Sequence, residues 1–210
     1  IGHLTIFDDD VVDISNLQRQ IIHRTKDLGT PKAESAKRYV HDLDPNVSVN
    51  SITERLTAKN AKDLFSGHDI IIDGTDNIPT RYLIDETCKE LGIPWVYGSV
   101  YRFEGQVSVF NFKGGPTYAD LFPEAPPDEL IPSCSEAGVL GVLPGIVGSL
   151  QVNEAIKVIV GIGLPLVGKL LIYDALESQQ KILNFGKTEN KQIEESSPLQ
   201  LEQMFQEIDS

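Results

Sequence analysis

The run Asp69-Ile70-Ile71-Ile72-Asp73 constrains the fold of this chain more than any other. Three consecutive β-branched residues favour a strand. No polar residue alternates with them, so the run predicts a strand covered on both faces, as at the centre of a parallel sheet. Gly74-Thr75-Asp76-Asn77 follows, at what would be the strand's carboxyl end. Helical spacing then runs to Leu91, where Gly92 supplies a stop. Strand, turn and helix in that order point to an α/β fold.

The same alternation continues along the chain. Residues 4–7 read as a strand ending in Asp8-Asp9-Asp10, and 15–23 as a short helix. Thr30-Pro31 predicts a helix start with a hydroxyl cap. Ala33, Ala36, Val40 and Leu43 then recur at helical spacing until Pro45. Val47, Val49 and Ile52 fall in a strand, and Thr57 is expected to cap a helix reaching Phe65. Strands are predicted over 94–100 and 105–112, then a long proline-rich loop over 114–137. A buried helix over 140–160, a strand over 170–174 and an edge strand over 178–185 complete a domain spanning 1–186. Polar residues 187–198 read as a linker. Leu199, Leu201, Met204, Phe205 and Ile208 then form an amphipathic pattern at 199–210, read as the opening of a second domain.

Charge narrows the function. The chain has 18 Lys and Arg against 31 Asp and Glu, a net charge of -13. Such a surface repels phosphate backbones and anionic membranes, so neither nucleic acid nor membrane is an expected partner. Two cysteines, Cys88 and Cys134, are too few for a disulfide framework or a four-cysteine zinc site. Cys88 shares helical spacing with Ile84 and Leu91 and reads as core. The apolar stretch over 139–163 is broken by Pro144, Gln151, Glu154 and Lys157, which argues against a membrane span. With no basic-plus-apolar leader in view, a cytoplasmic location is expected.

Three clusters carry chemistry. Asp8-Asp9-Asp10 ends a strand, where open α/β sheets hold ribose hydroxyls on an acidic residue; a solvated acidic turn is the alternative. Ser15-Asn16-Leu17-Gln18-Arg19-Gln20, with Lys32 at a helix start, offers the donors that grip a polyphosphate, or else a plain polar face. Asp73-Gly74-Thr75-Asp76-Asn77 offers a carboxylate for Mg²⁺, or a turn with Asn77 or Thr75 as the helix cap.

Taken together with Gly29-Thr30-Pro31-Lys32 and the run SCSEAGVLGVLPG at 133–145, these clusters resemble the MoeB/ThiF family in order and spacing. The family comprises adenylyltransferases related to ubiquitin-activating enzymes, and the resemblance covers residues 1–186. It implies a Rossmann-like, mostly parallel sheet with an antiparallel C-terminal part. It also implies ATP-dependent adenylation of the C-terminal Gly-Gly carboxylate of a β-grasp sulfur-carrier protein, in molybdopterin or thiamine-type cofactor synthesis. Carried over by position, Asp8 is the ribose carboxylate with Asp10 beside it. Asn16, Arg19 and Lys32 are the triphosphate contacts. Asp76 is the Mg²⁺-linked aspartate, and Asn77 completes its turn. Cys134 takes the place of the loop cysteine that handles thiocarboxylates; an ordinary thiol beside Glu136 is the alternative. A homodimer is implied as well.

The chain departs from the family in three places. The family's first strand and Gly-rich loop precede the segment matching Ile1, so an N-terminally truncated copy with little adenylation of its own is expected. Thr117 and Asp120 stand where many members place the first C-x-x-C pair, and no second pair follows, so no structural zinc is expected. The tail SSPLQLEQMFQEID at 196–209 resembles the opening of a rhodanese domain, a docked C-terminal helix being the alternative. Two readings compete with the enzyme. One is a module that binds the carrier or dimerises without turning over ATP. The other is an NAD-dependent oxidoreductase, which would use Asp8 equally well but has no need of the Arg19 and Asp76 clusters.

Overall fold

The computed structural model describes residues 1–124 and 138–188. Its element order is β1 (His3–Phe7), α1 (Lys32–Leu43), β2 (Ser48–Ile52), α2 (Ala61–Phe65), β3 (Ile71–Ile72), α3 (Ile78–Leu91), β4 (Trp95–Tyr101) and β5 (Glu104–Phe110). After these come α4 (Tyr118–Leu121), α5 (Leu143–Val160), β6 (Lys169–Asp174) and β7 (Gln179–Asn184). The strands form two sheets. β1 and β2 pair in parallel; the second sheet has the order β3-β4-β5-β6-β7. Only β3 and β4 are parallel there, and the pairs from β4 onward are antiparallel. The expected α/β architecture with an antiparallel C-terminal part is therefore present.

The isoleucine run behaves differently from its prediction. Ile71 packs with the cluster around Trp95, Phe110 and Tyr118, and Ile70 with the cluster around Val96, Val107 and Leu143. Both faces are covered at those two residues, as the absence of alternation suggested. Ile72, however, is 48 % exposed, and β3 stands at the edge of its sheet. The ladder lasts only two residues because Asp73 turns its carbonyl to a side chain from α5 instead of to β4. A side-chain bond joins the two sheets across this edge, from His68 Nε2 to Thr5 Oγ1 at 2.8 Å.

Four other expectations change. Residues 15–23 form no α-helix: a single 3-10 turn at Ile14–Asn16 is held by reciprocal bonds between Asp13 and Asn16, polar side chains that compete for the backbone. Thr30 does not cap α1, whose cap position is Pro31; Lys32 N–H bonds to the Asp10 carbonyl instead. Thr57 bonds to Asn60 in a turn, and α2 begins only at Ala61. A short helix, α4, sits within the predicted loop because Thr117 and Asp120 form a capping box.

The C-terminal half meets its boundaries more closely. α5 starts at Leu143 with Pro144 in its first turn and packs on β4 and β5 through Leu143, Val147 and Ala155. It is long and apolar enough to span a membrane by length and composition alone. It is not buried throughout, as the sequence suggested: Val152, Ile156, Ile159 and Val160 are exposed. β7 is the expected edge strand and is exposed along its length. Cys134, the 187–198 linker beyond Thr188 and the 199–210 segment lie outside the described residues.

Candidate active site

Asp10 of the first cluster and Lys32 of the second meet at the carboxyl end of β1. Asp8 follows the last strand residue, half buried, and its Oδ1 accepts the Asp10 N–H at 2.9 Å. Burial raises the Asp8 carboxyl above its ordinary value, against the lowering by that bond and by Lys32. Lys32 opens α1 and reaches back 2.7 Å to Asp10 Oδ2. Its ammonium is largely covered while Asp10 stays exposed. A strand end, a helix N-terminus, two carboxylates and one ammonium thus share one corner, where backbone N–H groups of α1 also point outward.

The Asn16–Arg19 segment flanks this corner. Asp13 caps the turn: its Oδ1 accepts from Ser15 N–H and Ser15 Oγ, and these bonds hold its carboxyl below the usual range. Asn16 is buried, and its Oδ1 accepts the Asp13 N–H at 3.2 Å. Arg19 Nη1 donates to the Ser15 carbonyl at 3.0 Å, leaving other guanidinium donors for a ligand. Beneath lies His23, buried, with Nδ1 2.9 Å from Ser35 Oγ. Desolvation first, and the Lys32 charge second, push its pKa down against the raising by Asp27 and Asp8, which favours the neutral ring.

Asp76 and Asn77 stand apart from this corner, on the turn after β3. Asn77 resolves one open choice: its Oδ1 accepts the Thr80 N–H at 3.0 Å, so Asn77, not Thr75, caps α3. Asp76 is exposed and carries no hydrogen bond or ion pair among the described residues. It lines a cleft with Arg55, Leu56, Asn77 and Thr80. A carboxylate that the fold leaves unpartnered on a rigid turn suits a hard cation that takes one or two protein carboxylates. No contact joins Asp76 to Lys32 or Arg19, so a ligand would have to span the two groups.

Two residues that shape the turn were not singled out from the sequence. Arg81 is buried, and its Nε donates to Asp73 Oδ2 at 3.2 Å. Its position eight residues beyond Asp73, on the inward side of α3, was the available signal. Gln151 is buried in α5, and its Nε2 donates to the Asp73 carbonyl at 2.6 Å. A glutamine inside an apolar helix was its only sign. Thr117 and Asp120 bond to each other, and Asp120 Oδ1 also accepts the Thr188 N–H at 2.9 Å. Cys88 is fully buried in the core, and burial pushes its thiol up to about 12.

The chain is 48% identical over 177 residues to the SAMP-activating enzyme E1 of Haloferax volcanii, covering 84% of this chain and 65% of that one. It is 43% identical over 207 residues to the sulfur carrier protein adenylyltransferase of Thermus thermophilus, covering 96% and 76%. It is 48% identical over 191 residues to the probable adenylyltransferase/sulfurtransferase MoeZ of Mycobacterium tuberculosis, covering 89% of this chain but 49% of the relative. The chain thus spans between about half and three quarters of these relatives' lengths. Among solved structures, MccB of E. coli with succinimide superposes with a TM-score of 0.79 at 16% identity, over 92% of this chain and 59% of that one, a likeness of fold. The ThiF family model matches residues 1–195, which take in every described residue, and the chain belongs to the ThiF family.

Proposed function

We propose that this chain is the adenylation domain of an enzyme that activates the C-terminal carboxylate of a β-grasp sulfur-carrier protein with ATP. The observation that carries the reading is the corner where Asp8, Asp10 and Lys32 meet at the β1 end and the α1 start. Asp8 accepts a ribose hydroxyl there, with Asp10 beside it. Lys32, Asn16 and Arg19 supply donors to the triphosphate, and Lys32 can exchange Asp10 for a phosphate oxygen by a small swing of its flexible stem. The sulfur-carrier and adenylyltransferase activities named for the relatives support the same assignment.

In the reaction the carrier's carboxylate attacks the α-phosphorus, the bond to the bridging oxygen breaks, and pyrophosphate leaves with its charge. Two anions must approach in line, so the protein's part is positioning and charge neutralisation. Lys32 and Arg19 offset the growing negative charge on the phosphates. Asp76 is the residue that would hold Mg²⁺, which supplies further neutralisation when bound with ATP. Asn77 fixes the turn from which Asp76 projects. Cys134 is assigned to the later handling of the thiocarboxylate. We place the protein in the cytoplasm, acting as a homodimer.

The test is ATP–pyrophosphate exchange with a Gly-Gly-tailed carrier, run on this chain and on a form extended upstream. Carrier-dependent exchange in either form supports the reading. Carrier binding without exchange in both forms overturns it in favour of a binding module.

A further inference from the structure

The turn that presents Asp76 departs from the sheet where the β3–β4 ladder ends. Asp73 N–H donates to the Val96 carbonyl at 2.9 Å, the last backbone bond between these strands. In a continuing parallel ladder the Asp73 carbonyl would take an N–H from β4. Side chains take over instead. Gln151 Nε2 donates to the Asp73 carbonyl at 2.6 Å and lies 3.3 Å from the Val96 carbonyl. The Gly98 carbonyl, next on that edge of β4, accepts from Arg81 Nη2 at 3.4 Å. The amide of Gln151 lies where a Cβ on Gly98 would stand, so glycine at 98 is what admits it.

The remaining polar groups of the turn converge on the same point. The Asp73 carboxylate accepts from Thr75 N–H at 2.8 Å and Thr75 Oγ1 at 2.7 Å through one oxygen, and from Arg81 through the other. Arg81 Nη2 also donates to the Thr75 carbonyl at 2.8 Å. Its guanidinium lies 5.2 Å from the centre of the Tyr97 ring. Asp73, Arg81 and Gln151 are all buried, so losing one partner leaves the others unsatisfied in a medium that penalises them. Of these three, Gln151 is the one from α5, and its side chain ties the turn to that helix.

We infer that Gln151 is a positioning residue for the adenylation reaction, fixing the direction in which the turn carries Asp76 by holding the Asp73 carbonyl away from β4. For its effect on catalysis the inference rests on the proposed function; its structural half stands alone. Gln151 is buried beneath the turn and acts through the Asp73 carbonyl.

Gln151→Met keeps the volume and removes the donor. Amide hydrogen exchange of the chain without nucleotide is expected to speed about tenfold or more at residues 74–77 in the variant, with α3 and β5 unchanged. In the exchange-active form, kcat of pyrophosphate exchange per folded molecule is expected to fall about tenfold with the KM for ATP little altered. Unchanged exchange at 74–77 overturns the inference, as does a KM effect without a kcat effect. Should Q151M fail to fold, the wild-type Thr75 amide decides: it is expected to exchange far more slowly than the exposed Lys113 amide, and equal rates overturn the inference. If wild-type protein shows no pyrophosphate exchange, the functional reading fails while the hydrogen-exchange comparison still judges the role of Gln151.

Discussion

At the scale of single residues, partnership in the fold separates side chains that hold structure from those free to act. Asp73 and Asp76 lie three positions apart in one motif. Asp73 is 1 % exposed and carries bonds from Thr75 and Arg81, whereas Asp76 carries none. Asp76→Asn is therefore expected to leave the melting temperature within about 1 °C, because no contact of the fold is lost. Pyrophosphate exchange is expected to fall about 10²-fold, the scale of removing one preorganised electrostatic group. The two cysteines allow a second check at this scale. Cys88 is fully buried and its thiol is pushed up to about 12, so alkylation of the native chain should leave it unmodified until denaturant is added. Mass spectrometry of the digested protein reads this directly. The motif aspartates, Lys32 and Asn77 were singled out because charged and capping residues gather at strand ends; each cluster alone also read as a structural turn or polar face, and the order and spacing shared with the MoeB/ThiF family separated the readings. Gln151 was not, because a polar residue in an apolar helix carries no sign of what it faces.

At the scale of elements, most starts and stops followed local chemistry. α3 ends at Gly92, which adopts φ 69°, a left-handed conformation that glycine takes without a Cβ clash. Misplaced elements were those where polar side chains bonded locally: Asp13 with Asn16, Thr57 with Asn60, Thr117 with Asp120. Helical periodicity cannot see such competition, because it weighs only where apolar residues fall. One contact ties the turn before α5 to the segment between Asn16 and Arg19. A Cβ on Gly141 would stand 2.7 Å from the Gln18 backbone oxygen, too close for any real contact. Gly141→Ala is expected to destabilise the chain by about 1–3 kcal/mol, the usual cost of overpacking. Denaturant unfolding measures it, and a midpoint equal to wild type would contradict the close approach.

At the scale of the molecule, the last described residue, Thr188, is held by Asp120 through its carboxylate and its backbone carbonyl. Burial raises the Asp120 pKa, but the bonds from Thr117 and Thr188 outweigh it and leave the group below its ordinary 3.8. A carboxylate lowered in the folded state stabilises the fold above its unfolded value and loses that contribution as pH falls through its folded one. Asp120→Asn should therefore lower the melting temperature near neutral pH. The gap from wild type should close as pH drops below 3.8. Melting curves of both proteins against pH test the sign. The sequence by itself determined the α/β class and picked out the residues of the two polar corners, because periodicity, charge and capping are local properties; the antiparallel C-terminal strands were implied by the resemblance to the MoeB/ThiF family. Only the tertiary structure decided that β3 is a two-residue edge, that Lys32 meets Asp10, and that Arg81 and Gln151 close on Asp73. Lys32 with Asp10 and Gln151 with Asp73 join residues far apart in the chain, and the buried bonds at Asp73 gain their strength only once packing has excluded water from the groups involved.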